Sequence, residues 1–559
     1  MTEIKPGSPV HPHRHQPALP IDRLIVRDPP DDEAVPLDVV FVGGGPAGLA
    51  GAIELARLVA EGNEAGDGVG EVEIGVLEKA EGLGDHTLSG AVINPRSFRE
   101  LLPGMSDEEF PFRRPVEREA VYFLTRRGRI RIPAPPTMRN HGNHIASICE
   151  VVRWLGERAE DLGVMILPGF PADALLVDGR DVIGVRTAPR GLNRDGEPVG
   201  DSYMPPVDVT ARVTVLSEGT RGALTQAYLD WQGIGSANPQ IYSLGVKELW
   251  EVKRPLDRII HTMGWPLIRD GFGGTFAYPL ADDLVALGLV VSLDYRDARL
   301  DVHGLLQQVK HHSLFHRILE GGEMVEWGAK TIPEGGYHSL PERRHGSGIC
   351  IVGDAAGYVD VASLKGIHYA MQSGMLAART IYRALKAGDV SAAGLAGYTA
   401  AVDSSFIAHD LHRNRNMRLA FKSGFFVGGA KATLATVTGG RVPGGRIATE
   451  SDAEEGKRVG EGRVGSAGPG PLAASKVDAV FKSGNQTRDD IPSHLTVGED
   501  VSAEVAEMYV HMCPAGVYER DGDRLRVNAP NCVDCKATDV LGPRWAPREG
   551  GSGPRYRRM

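Results

Sequence analysis

A short apolar run, Leu37-Asp38-Val39-Val40-Phe41-Val42, breaks into Gly43-Gly44-Gly45-Pro46-Ala47-Gly48 and then into a helical pattern through Leu49, Ile53, Leu55 and Leu58. Strand, Gly-x-Gly-x-x-Gly and helix, in that order, commit this end of the chain to an α/β fold on a Rossmann-like sheet. Gly43 makes the tight turn, Gly45 lets the backbone approach a pyrophosphate, and Gly48 lets helix and strand pack closely. The helix N-terminus then faces the phosphates. A second strand, Val72 to Leu77, ends at Glu78, whose carboxylate suits the hydroxyl pair of a ribose. It comes later than the usual spacing of about 20 residues because a Gly/Glu-rich insert, Glu61 to Glu71, intervenes.

Two distant segments speak to which dinucleotide binds. Val213 to Gly219 is a strand breaking into a Gly turn, and Gly348 to Gly357 is a strand ending in Gly353-Asp354. The wording around Gly43 resembles flavoproteins of the glutathione-reductase type, in which such an Asp faces a ribityl hydroxyl. FAD is the expected cofactor. No second Gly-x-Gly-x-x-Gly follows a strand, and no Cys-x2-Cys or Cys-x4-Cys pair follows the first unit. Electrons are therefore expected from a source other than NAD(P)H or a dithiol.

Three of the five cysteines fall in residues 513–559. Cys513-Pro514 and Cys532-Val533-Asp534-Cys535-Lys536-Ala537-Thr538 follow the ferredoxin pattern for a [4Fe–4S] cluster, with Thr538 where the next cysteine belongs. Three thiolates suffice for a three-iron cluster, or for a cubane whose fourth iron takes Asp, hydroxyl or water; Asp534 and Asp539 flank the gap. A Cys3His zinc site using His511 is a second reading, and an empty pocket kept for its fold is a third. The spacing favours iron. Cys149 and Cys350, in apolar contexts, are expected to be buried structural thiols.

At 559 residues the chain exceeds one core, and its net charge of −10 gives no electrostatic case for nucleic acid. Few, clustered cysteines fit a reducing compartment. No apolar stretch of about 18 residues exists to span a bilayer. Between Met417 and Leu434, however, Leu419, Phe421, Phe425, Phe426, Val427 and Leu434 alternate with glycines and lysines, with Arg413, Arg415 and Arg418 before and Arg441 and Arg446 after. That suits an apolar face lying in a membrane interface with basic flanks on anionic headgroups, unless it packs on the body. Val121 to Leu124 and Ile130 to Ile132, around Arg126-Arg127-Gly128, read as a hairpin that dips beside it.

With these two ends, and with segments such as Leu88-Ser89-Gly90-Ala91-Val92, Asn140 to Asn143, Leu244 to Trp250, Met263 to Leu267, Leu364 to His368, Pro492 to Thr496, Cys513 to Glu519 and Glu549 to Tyr556, the chain resembles the electron transfer flavoprotein (ETF)–ubiquinone oxidoreductase family from about Leu37 onward. The resemblance implies a peripheral, FAD-dependent oxidoreductase that takes electrons from reduced ETF and delivers them to quinone through FAD and one iron–sulfur cluster. The fold it implies is an FAD domain with an inserted quinone-binding domain and a C-terminal ferredoxin-like cluster domain. The expected limits are a disordered tail over 1–33 and FAD pieces at 34–112, 142–225 and 335–400. Quinone and membrane-facing pieces are expected at 113–141, 226–334 and 401–438, a loose linker or loop at 439–475, and the cluster domain at 476–559.

The implied cofactor-binding residues are Gly43, Gly45, Gly48, Glu78, Ser89, Gly90, Gly353, Asp354, Asp360 and Gly366. The implied quinone contacts are Phe272, Gly273 and Gly274, and the metal ligands Cys513, Cys532 and Cys535. Tyr518 aligns with a tyrosine whose hydroxyl lies near a cluster sulfur; His86, His141 and His368 are expected to pack or to support a cofactor. The departures are Thr538 for a cysteine, Ala537 for a threonine, Asp360 for a flavin-proximal asparagine and Ile367 for a threonine. No catalytic base is expected. The location implied is the cytoplasmic face of a bacterial inner membrane. Two other functions stay open: a geranylgeranyl-reductase-like flavoenzyme acting on an isoprenoid, and a redox-inert docking partner.

Overall fold

The apolar run at 37–42 becomes the Val35–Val42 strand of a large mixed sheet. The structure, a computed structural model, describes residues 4–267, 271–441, 445–460, 472–522 and 524–559. The strand order is Met165–Pro168, Ile74–Glu78, Val35–Val42, Asp208–Leu216, Asp181–Thr187, Ala172–Asp178 and Ile25–Val26, with Ile349–Ile351 parallel to Asp208–Leu216. The first four are parallel. Parallel strands are covered on both faces, so their Val- and Leu-rich composition is required rather than incidental. The Pro46–Glu64 helix runs out of Val35–Val42 and packs on the Ile367–Ala387 helix. A Cβ on Gly374 would stand 2.1 Å from the Ala47 carbonyl oxygen, so these helices meet backbone to backbone.

A second sheet has the order Glu323–Pro333, Tyr242–Glu251, Leu284–Ser292, Gly273–Pro279, Ile259–Gly264, Glu119–Leu124 and Arg129–Ile132. Its pairings are antiparallel except that of Ile259–Gly264 with Glu119–Leu124. Successive side chains on a strand point to opposite faces, so cross-strand partners share a face. Leu244, Val246, Ala277, Leu287, Leu289 and Val291 supply one face, which joins the core of the C-terminal region. Val121, His261, Phe276, Gly288, Lys247 and Gly328 form one cross-strand row on the other. Leu88 to Gly90 of the first region lie across that row: Leu88 over Gly328, the Ser89 carbonyl on Lys247 Nζ at 2.9 Å, and Gly90 against Tyr278.

Two expectations fail. Residues 4–33 are no disordered tail: Pro9–Val10 pair with Lys457–Arg458, Ile25–Val26 extend the first sheet, and Val10, Leu24 and Ile25 are buried. Burial of those three apolar side chains offsets the cost of ordering this proline-rich segment. Residues 445–460 are likewise no loose linker, for Asp452 and Lys457 are both buried and Lys457 Nζ donates to the carbonyls of Leu293 and Tyr295. The remainder of the expected linker includes 442–444 and 461–471, and the expected tail includes 1–3; these lie outside the described residues.

The C-terminal region places the Lys476–Lys482 helix, started by a Ser475–Asp478 capping box, beside the Ala503–Met512 helix and the Tyr518–Asp521/Arg524–Val527 hairpin. The chain's last carbonyl returns to the first region, where Met559 O accepts from Ser147 Oγ at 3.1 Å.

Candidate cofactor and metal sites

The glycine loop folds tightly on the neighbouring strand. Gly43 has φ +113, and a Cβ there would lie 2.5 Å from the Ser217 carbonyl oxygen. Ser217 Oγ ties the turn by donating to the carbonyls of Val42 and Gly43. Gly48 faces Gly43 O at 2.2 Å from its hypothetical Cβ, whereas Gly45 has nothing within 4 Å. Glu78 ends its strand with one oxygen on the Gly44 N–H at 3.0 Å and the other on the Ala80 N–H at 2.9 Å. Gly353 abuts Ala47, and Gly366 abuts Asp354. Fingerprint, strand-end carboxylate and Gly-Asp turn therefore come together at one edge. Burial pushes Asp354 up to about 6, against the pull of Lys330 and Thr220. Asp360 is buried, accepts from the Ser363 N–H at 3.1 Å, and bridges backbone to backbone with Lys365, which frames Gly366.

These residues fit a dinucleotide. The hydroxyls of Ser89 and Thr331 are buried without a partner among the described residues, and the space above Gly45 is open. Orphaned donors of that kind call for a polar ligand.

At the other end, Cys513 closes the Ala503–Met512 helix, and its Sγ accepts from the Val517 N–H at 3.4 Å. Asp534 and Lys536 flank Cys535 at φ 53 and 63, a left-handed backbone that is costly outside glycine and curls amides toward one point. The three thiols are buried close enough to feel one another's charge, and burial pushes Cys532 up to about 12. Buried thiols of this kind become thiolates only against a cation, so the trio fits a metal centre.

The fourth corner differs from expectation. Thr538 Oγ1 is hydrogen-bonded to Tyr518 OH at 2.5 Å, so the tyrosine hydroxyl serves Thr538. Asp534 is not a spare ligand: its oxygens are held by Lys79 Nζ at 2.5 Å, Arg548 Nη2 at 2.8 Å and Trp545 Nε1 at 3.1 Å. Asp539 is held by Arg221 Nε at 2.8 Å and the Trp545 N–H at 3.1 Å. A carboxylate bound by cations and N–H groups stays ionised and committed. His511 turns to Glu507 on its own helix at 3.4 Å, which removes it from the zinc reading. The imidazole near the cysteines is His494, whose two ring nitrogens lack partners among the described residues and whose ligand atom lies within 4.8 Å of those of Cys532 and Asp534.

One strand joins the two sites. The Thr331 N–H donates to Cys535 O at 2.9 Å, Thr331 O accepts from Thr220 Oγ1 at 3.0 Å, and Lys330 Nζ donates to Asp534 O at 3.2 Å. Lys330 also faces Asp354 and Glu78. Burial lowers this lysine, and burial brings the neighbouring Lys536 down to about 7.

At the far edge of the second sheet the expected hairpin forms, Glu119–Leu124 with Arg129–Ile132, and Phe123 meets Phe425 with ring centroids 5.7 Å apart. Phe425–Val437 is a helix on which Phe426 is 71% and Val437 80% exposed. Phe272 packs on Phe421 and under the Arg418 guanidinium. A Cβ on Gly273 or Gly274 would strike the Val290 or Thr262 carbonyl oxygen, so sheet packing already demands both glycines. His86 is half-buried against Lys79 and Asp534, His368 is buried with its Nδ1 unpartnered among the described residues, and His141 is exposed. Cys149 and Cys350 are buried thiols, as expected.

Sequence reading missed Lys79, Lys330, Arg548, His494, His261 and Tyr278. Lys247 was missed too, though the sequence carried a signal: a lysine in the apolar strand Tyr242–Glu251 needs a polar partner, and Ser89 O is that partner.

The family profile described as ETF-QO, ubiquinone-binding matches residues 242–332, and that described as electron transfer flavoprotein-ubiquinone oxidoreductase, 4Fe-4S matches 470–557. The mitochondrial electron transfer flavoprotein-ubiquinone oxidoreductase of Arabidopsis thaliana is 36% identical over 552 residues, 94% of this chain and 85% of that protein. The Pseudomonas aeruginosa enzyme is 36% identical over 558 residues, 94% of this chain and 100% of that one. A solved geranylgeranyl bacteriochlorophyll reductase-like structure from Thermoplasma acidophilum shares the fold, with TM-score 0.56, 19% identity, and coverage of 73% of this chain and 92% of that one. Identity at this level over 94% of the chain means that the protein belongs to the electron transfer flavoprotein–ubiquinone oxidoreductase family of FAD-dependent oxidoreductases.

Proposed function

We propose that the protein oxidises reduced ETF and passes the electrons to a membrane quinone, using FAD and an iron–sulfur centre held by Cys513, Cys532 and Cys535. The observation that carries this is the Glu323–Pro333 strand, which hydrogen-bonds the cluster loop at Thr331 and sets Lys330 between that loop and Asp354. FAD, when bound, exchanges electrons singly or in pairs, which lets one-electron donors serve a two-electron acceptor. Gly43, Gly45, Gly48, Glu78 and Gly353 are the residues to hold it, with Ser89 and Gly90 where the second sheet meets the first region. The isoprenoid-reductase reading has only likeness of fold behind it. Mixing the protein with reduced ETF and a short-chain ubiquinone under argon tests the reading: quinol should accumulate, and bound flavin without quinol would end it.

Membrane contact belongs to the same reading. No helix among the described residues is long and apolar enough to cross a membrane. The exposed Phe426 and Val437, with an exposed Lys431 on the same helix, suit shallow burial in an anionic, cytoplasm-facing leaflet. Each large apolar side chain buried contributes about 1.5–3 kcal/mol. The Phe426→Asp, Val437→Asp double variant should therefore lose on the order of a hundredfold in partition to phosphatidylglycerol vesicles, read by flotation. Unchanged flotation would refute the assignment of this helix.

A further inference from the structure

Reduction of a quinone to a quinol takes two protons as well as two electrons, and the carbonyl oxygen that lies deepest in an apolar pocket needs a side chain to relay its proton from water. The second sheet places a proton-carrying pair on the face that meets the first region. His261 Nε2 and Tyr278 OH are 2.6 Å apart, and both residues are buried. The other ring nitrogen, His261 Nδ1, is buried with no partner among the described residues. An orphan in a core is unfavourable, so it marks a place where a ligand completes the hydrogen bonding.

The position fits a quinone. His261 pairs across the sheet with Val121 and Phe276, and Phe123 lies two residues along the same strand face as Val121. That face therefore runs from the aromatic group Phe123, Phe425 and Phe426, at the exposed apolar helix, inward to His261. Tyr278 is stacked on Phe276 with centroids 4.7 Å apart, and faces Gly90. Apolar entry and polar end share one surface.

Resting on the quinone reading above, we propose that His261 and Tyr278 are the proton-delivery pair of quinone reduction, with His261 Nδ1–H donating to one carbonyl oxygen. An oxidised quinone only accepts hydrogen bonds, so it selects the arrangement in which Tyr278 donates to Nε2 and Nδ1 carries hydrogen. Burial supports it, holding the imidazole neutral at about 3 and the phenol protonated. As the two electrons arrive from the reduced flavoprotein, the Nδ1 proton bonds to the quinone oxygen and the Tyr278 proton moves to Nε2. Water reprotonates the tyrosine, and water also supplies the proton for the opposite carbonyl. Lys365, whose charge faces His261 and which answers to Glu119 and Asp360, lies beside this relay.

The test uses Tyr278→Phe, which keeps the stack on Phe276, and His261→Gln, in holoenzyme with reduced ETF. Turnover is measured with a short-chain ubiquinone and with ferricyanide, an acceptor that takes electrons without protons. General-acid groups contribute about 10²–10⁴-fold, so the quinone-to-ferricyanide ratio should fall at least tenfold in each variant. The solvent deuterium isotope effect on the quinone reaction should rise as well. An unchanged ratio, whether both rates hold or both fall together, would make the pair structural and overturn the proposal. Wild-type protein that reduces ferricyanide but no quinone would instead show that the acceptor reading itself is wrong, and the pair's role would go with it.

Discussion

Cysteine in place of Thr538 should add an iron to the cluster. Three thiolates close three corners, and Thr538 and both flanking carboxylates are committed elsewhere; the nearby imidazole unpartnered among the described residues, His494, lies against Cys532 and Asp534. Thr538 Oγ1 is engaged by Tyr518, Asp534 by Lys79, Arg548 and Trp545, and Asp539 by Arg221 and Trp545. Freeing Asp534 would leave the buried Arg548 guanidinium without its carboxylate, at a cost of about 3–5 kcal/mol. The native chain is therefore expected to hold a three-iron cluster, paramagnetic when oxidised. In Thr538→Cys the thiol replaces the hydroxyl in the Ala537–Leu541 helix that follows the left-handed turn, completing the ferredoxin set. Iron analysis of anaerobically purified protein should rise from three to four per chain, and the oxidised electron paramagnetic resonance signal should vanish. Zinc, no metal, or four irons already in the native protein would refute the expectation.

What was legible in the chain follows from range of interaction. The glycine loop, the strand before it and the helix after it are local, and Gly43, Gly45, Gly48 and Glu78 were readable because turn and strand chemistry act over a few residues. The cluster loop was readable for the same reason. Lys79 and Asp534, in contrast, are 455 residues apart, and neither position hints at the other. The two carboxylates that looked free beside the missing cysteine are committed through such distant partners. His261 and Tyr278 meet only because two strands pair in one register, which periodicity alone leaves open. The N-terminal segment misled because composition measures solubility of a stretch, while its order comes from pairing with Lys457–Arg458.

Gly45 and Gly48 stand three residues apart, yet their replacement by alanine should separate fold from cofactor. At Gly48 a Cβ would sit 2.2 Å from Gly43 O and 2.7 Å from Ser217 Oγ. Neither can retreat, because Ser217 Oγ is itself bonded to Gly43 O at 2.8 Å within the sheet. Overpacking of this kind costs about 1–3 kcal/mol and shifts the helix from the strand. At Gly45 the backbone is extended, with φ −85 and ψ −177, so alanine meets no strain, and its Cβ touches no protein atom within 4 Å. The only thing it can displace is a ligand lying on the helix N-terminus. Gly45→Ala should therefore unfold, as apoprotein, at the wild-type denaturant midpoint while its FAD affinity falls at least tenfold. Gly48→Ala should lose both stability and flavin. Flavin fluorescence after denaturation, paired with urea unfolding of the stripped proteins, reads the two effects apart. A Gly45→Ala protein that keeps stoichiometric FAD would place the pyrophosphate elsewhere.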